Sequence, residues 1–115
     1  MRSGSASPPR KERMTRTFYW EVDAGHSWLL ADFSEITALG ITSQISEFSY
    51  LGDLGQIAYL EEDVDAPLFL DAIKLAYYRK WGNELAIRCR DLGTFKNVSP
   101  IRKLKRFPQT EAIAQ

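Results

Sequence analysis

The stretch from Gln56 to Ile73 limits the fold more than any other part of the chain, because it holds a strand, an acidic turn and the start of the only long helix. Ile57-Ala58-Tyr59-Leu60 follows the turn-former Gly55 and is a short run suited to a strand. Glu61, Glu62, Asp63 and Asp65 then place four acids within five positions. Asp65 before Ala66-Pro67 reads as an N-cap with proline in the first turn. Leu68, Phe69, Ala72, Ile73 and Ala76 recur at helical spacing, and Leu75 widens that stripe. Lys74, Arg79 and Lys80 fall late, and Gly82 is placed to end the helix. The spacing predicts a helix over about 66–81, with acid at its start and base at its end to suit the dipole.

With 115 residues, 44% of them hydrophobic, the chain is long enough for one domain with a buried core. No apolar run reaches the roughly 18 residues of a membrane span. The basic N-terminus lacks the apolar segment of a secretory signal. The single Cys89 excludes an internal disulfide and a multi-cysteine metal site, and a reducing cytoplasm is the simplest compartment. The net charge of zero conceals a separation. Residues 1–16 carry five bases and one acid, residues 17–73 carry eleven acids and no Lys or Arg, and residues 74–115 carry ten bases and three acids. Asymmetry of this size speaks to partners and fields rather than to fold.

In chain order, residues 1–16 read as a disordered basic extension, with Met14 an alternative start. Residues 17–92 form the domain, and residues 93–115 a basic, partly ordered segment. Thr17–Val22 and Ser27–Ala31 are strands across the turn Asp23-Ala24-Gly25-His26. Ser34 caps a short helix over Glu35–Leu39 that Gly40 closes. Glu47–Leu51 is a third strand, and Gly52-Asp53-Leu54-Gly55 is the turn before the Tyr59 strand. Beyond the long helix, Glu84–Arg90 alternates, with Leu85, Ile87 and Cys89 on one face. The order is ββαββαβ: an α+β domain in which one mainly antiparallel sheet packs on a long and a short helix.

Catalytic signals are sparse. The chain has no glycine-rich phosphate loop, nucleophile elbow or paired-histidine motif. His26, near Asp23 and Asp32, is a general-base candidate, against the plainer reading of a turn residue bonded to backbone. The acids Glu61, Glu62, Asp63 and Asp65 suit a hard cation by donor type but not by calcium-loop spacing, and helix capping or a solvated turn competes. Neither a metal, a cofactor nor an enzymatic reaction is therefore expected. Cys89 reads as packing rather than nucleophile.

Gly25-His26-Ser27-Trp28-Leu29, Leu39-Gly40-Ile41, Ile45-Ser46-Glu47-Phe48-Ser49-Tyr50, Ala58-Tyr59-Leu60-Glu61-Glu62-Asp63-Val64-Asp65-Ala66 and Phe69 resemble a family of small uncharacterised proteins of phages, prophages and plasmids. Members show a G-H-G-W-L turn, a Y-S-Y strand and a Y-L-E-E-D-C-D-A block. Ser27 stands where that pattern has its second glycine, and Val64 where it has cysteine, so a thiol at that place is not essential. The resemblance spans roughly residues 17–73. It implies a mobile-element protein in a bacterial cytoplasm and carries no activity.

Two functions compete. In the first, the acidic half (Glu47, Asp53, Glu61, Glu62, Asp63 and Asp65) binds a basic surface on a host nucleic-acid-handling or defence complex, as an anti-CRISPR or anti-restriction inhibitor would. His26, Trp28 and Tyr78 are its candidate contact anchors. In the second, Arg88, Arg90, Lys96, Arg102, Lys103, Lys105 and Arg106 contact nucleic-acid phosphates, with Phe95 or Phe107 as a stacking surface. A solvated acidic face, internal pairing of the two halves and homodimerisation remain open beside both.

Overall fold

Strand β1 (Thr15–Val22) turns through Asp23–His26 into β2 (Ser27–Asp32), and the two pair antiparallel with Trp20 opposite Leu29. The structure is a computed structural model that describes residues 14–94 and 100–107. β1 begins at Thr15, so Thr15 and Arg16, expected in the extension, belong to the sheet. The rest of that extension, with Lys96 and Phe95, lies outside the described residues.

Helix α1 (Phe33–Ala38) follows β2 directly. Its N-cap position is Asp32 rather than Ser34, the Asp32 side chain makes no capping bond, and the Phe33 N–H donates to the Gln56 carbonyl. Gly40, at φ +74°, ends this turn. A single 3-10 turn covers Thr42–Gln44. Strand β3 is only Tyr50–Leu51, shorter than the expected Glu47–Leu51. Residues 46–49 form a loop instead, tied to Asp65 by hydrogen bonds that a strand would not allow. Strand β4 (Ile57–Glu61) leads to α2 (Asp65–Trp81), which Gly82 ends in the left-handed conformation at φ +75°. β5 (Ala86–Thr94) and β6 (Lys105–Arg106) complete the molecule.

The result is an α+β domain with one six-stranded, mostly antiparallel sheet in the order β5-β1-β2-β4-β3-β6. The exception is β5, which runs parallel to β1. A parallel pair needs a long crossover. Here α2, about 25 Å long at 1.5 Å per residue, carries the chain from β4 across β2 and β1. β5 is consequently an edge strand with one neighbour, so Cys89 is exposed rather than packed.

The sheet buries both faces. On one, Phe18, Leu29, Ala31, Ala58 and Leu60 meet Ile36 of α1 and Ala66, Phe69 and Ile73 of α2. Leu29 lies opposite Leu60 and Ala31 opposite Ala58, so period-2 alternation on neighbouring strands builds this layer. Phe18 and Phe69 meet edge to face at 5.6 Å. On the other face Trp28 and Tyr50 are covered by Ile101, with Tyr59 and Leu104 against them. Phe107 then enters the first core beside Phe33, its N–H on the Ser49 carbonyl. The basic C-terminal segment is thus part of the domain through Phe107, and Phe107 is no stacking surface for bases. Among the described residues no helix is long and apolar enough to cross a membrane.

Candidate functional site

The acidic turn sorts its carboxylates into different roles. Asp65 has no exposed surface. It accepts hydrogen bonds from the Ser46 N–H at 3.1 Å, the Ser46 hydroxyl at 2.6 Å and the Ser49 hydroxyl at 2.5 Å. The Ser49 hydroxyl in turn accepts the Glu61 N–H. Asp65 is therefore neither the N-cap nor a surface contact; a partner cannot reach it. The capping work falls to Glu61, whose carboxylate accepts from the N–H groups of Asp63, Val64 and Asp65 at 2.6, 3.0 and 3.4 Å. Glu62 accepts the Ser27 N–H at 2.6 Å, joining this turn to the β1–β2 turn. Asp63 remains exposed, as do Glu47 and Asp53.

The β1–β2 turn is built on Asp23. This buried carboxylate accepts the N–H groups of Gly25 and His26, both at 2.9 Å, and holds Arg102 through Nε at 2.8 Å and Nη2 at 3.1 Å. That hydrogen bond raises the Arg102 pKa, so the guanidinium stays charged. Arg102 lies over the Trp28 ring at 5.5 Å. Arg106 lies over Tyr50 at 5.1 Å and donates to the Glu47 carbonyl.

These elements enclose an open groove of about 510 Å³. Trp28, Tyr50, Arg102, Arg106, Phe48, Asp63 and Val64 line it, together with His26, Ser46 and Glu61. Phe48 is 61% exposed and Val64 63%. Each follows an exposed carboxylate in sequence, Glu47 and Asp63. The groove thus gathers the exposed side chains of Phe48, Asp63 and Val64 with two ring-stacked guanidiniums. Its volume falls within the 300–1,000 Å³ usual for binding pockets.

Comparison with protein-family models, with curated proteins and with solved structures finds no match for the chain.

Of the expected anchors, His26 is exposed at the groove and Trp28 is buried to 3%, so Trp28 shapes the groove rather than projecting from it. Tyr78 is exposed but sits about 20 Å along α2 from the acidic turn. The basic set divides. Arg88 and Arg90 belong to β5 at one edge of the sheet, Lys105 and Arg106 to β6 at the opposite edge, about 24 Å away across five strand spacings, and Arg102 lies between them over β2, bonded to Asp23 of the β1–β2 turn. Arg102 and Arg106 fold back among the acids of the first half, so the two charge blocks of the sequence interleave here. Among the described residues no group of three or more His, Cys, Asp or Glu stands together as a metal site would require. Residue patterns alone missed Phe48, Val64 and the Asp23–Arg102 pair. The first two carried a readable signal, a large apolar residue next to an acid in a turn or loop; the third spans 79 positions and carried none.

Proposed function

We propose that this is a small non-enzymatic protein of a mobile genetic element, a phage or plasmid, acting in the bacterial cytoplasm. It binds a basic surface of a host nucleic-acid-handling or defence complex and blocks it, as an anti-CRISPR or anti-restriction protein does. The observation that carries this reading is that Phe48 and Val64, both lining the groove, are exposed and each follows an exposed carboxylate in sequence, Glu47 and Asp63. Large apolar side chains displayed beside carboxylates suit an interface in which apolar contact supplies affinity and charge steers encounter. The proposed contact set is accordingly Glu47, Phe48, Asp53, Asp63 and Val64 with His26; Glu61 and Glu62 hold backbone in place behind them.

The nucleic-acid alternative draws less support, because Arg88 and Arg90 sit at one edge of the sheet, Lys105 and Arg106 at the other, and Arg102 is paired with Asp23. Expression of the protein in bacteria carrying restriction or CRISPR interference is expected to raise the plating of a sensitive phage. The double variant Glu47→Gln, Phe48→Ala is expected to abolish that protection while remaining folded. Protection unchanged in this variant, or filter retention of DNA by the purified protein at low salt, would overturn the assignment.

A further inference from the structure

Helix α2 buries Ala66, Phe69 and Ile73, yet its opposite side is not uniformly polar. Leu75 is 49% exposed and Tyr78 56%, one turn apart on the solvent side. At 100° per residue they share a stripe with Pro67 and Asp71, both exposed, and the stripe points back to Val64 at the N-cap. Charge changes sign along it. Asp63 and Asp71 occupy the first half; Lys74 and Arg79 occupy the second, and all four are exposed.

We propose that this stripe pairs with the same stripe of a second copy, antiparallel, about a two-fold axis near Asp71. That register places Val64 against Tyr78 of the other copy and Pro67 against Leu75. It also places Asp63 against Arg79, twice, and at the axis, where the two Asp71 carboxylates meet, brings Lys74 of each copy within one turn to offset their repulsion. A parallel arrangement sets acid on acid and base on base, which is destabilising. The antiparallel one is self-complementary, and an isologous two-fold dimer is the commonest closed assembly. The zero net charge leaves no overall repulsion between copies. Because a single helix pair makes a small interface, the dimer dissociates in the micromolar range, roughly 1–100 μM. This pairing does not rest on the proposed host partner. The substitutions at Leu75, Tyr78, Lys74 and Arg79 lie on α2 away from the groove, whereas Asp63 lines it, so the pairing is read first from the former.

Sedimentation equilibrium of the full chain at low salt is expected to show a concentration-dependent shift to twice the monomer mass. The Leu75→Ser, Tyr78→Ser variant is expected to weaken association at least about tenfold. Lys74→Glu, Arg79→Glu is expected to be monomeric alone, as is Asp63→Lys, Asp71→Lys. Mixing those two charge variants is expected to restore a dimer containing one of each, since every inverted contact is then attractive again. Circular dichroism establishes that each variant is folded before it is read. A wild type that stays monomeric at about 200 μM, a dimer indifferent to all three substitution pairs, or charge variants that fail to rescue one another would overturn the proposal.

Discussion

Asp65 shows how far the role of one residue can differ from its local signature. An aspartate before Ala-Pro at a helix start suggests a cap, but the carboxylate turns inward and gathers the donors of Ser46 and Ser49. Replacing it with alanine leaves three buried or half-buried donors without an acceptor. Asp65→Ala is therefore expected to lower unfolding stability by about 3 kcal/mol in urea titration, well above the cost of losing an exposed cap. The loop that presents Glu47 and Phe48 loses its anchor in the same variant. Tyr59 offers a test by pH. Burial, followed by the nearby carboxylates Glu21 and Asp53, raises its phenol above the ordinary value. A raised pKa means that the folded state favours the protonated phenol, so its contribution is whole below about pH 10 and is lost as pH rises past that value. Stability is expected to fall in alkaline solution above pH 10, and Tyr59→Phe to flatten that fall.

At the level of elements, Glu61 ends β4 and caps α2 at once, holding three N–H groups of the turn. Glu61→Ala is expected to cost about 1 kcal/mol, read as a lower thermal midpoint, with Glu61→Gln recovering part of it. The elements themselves were largely legible. Apolar spacing over Phe69 and Ile73 and the stop at Gly82 mark α2, and the aromatic run Phe18-Tyr19-Trp20 marks β1. What could not be read was anything decided by contacts distant along the chain. β5 alternates like a half-buried strand, yet its parallel pairing with β1 leaves it at an edge with Cys89 outside. The 46–49 loop contains strand-prone Phe48, but Asp65 bends it out of the sheet. The groove was half legible: its acids were marked as a cluster, whereas its two arginines come from a segment whose docking depends on Ile101, Leu104 and Phe107 fitting gaps in the sheet.

Across the whole molecule, the C-terminal segment covers one face of the sheet with Ile101 and fills the other with Phe107. A variant ending at Thr94 loses both, together with the Asp23–Arg102 pair. Loss of a buried phenylalanine alone costs about 3–5 kcal/mol, against a total stability of order 5–15 kcal/mol for a small domain. That variant is expected to lose cooperative unfolding and to shift its tryptophan fluorescence to the red as Trp28 is uncovered. Both guanidiniums of the groove come from the segment that follows β5. The elements from β1 to β5 supply the rings and the carboxylates of the groove, and the docked segment supplies its positive charge. Undocking of that one segment would therefore strip the groove of both cations at once while leaving its acids in place.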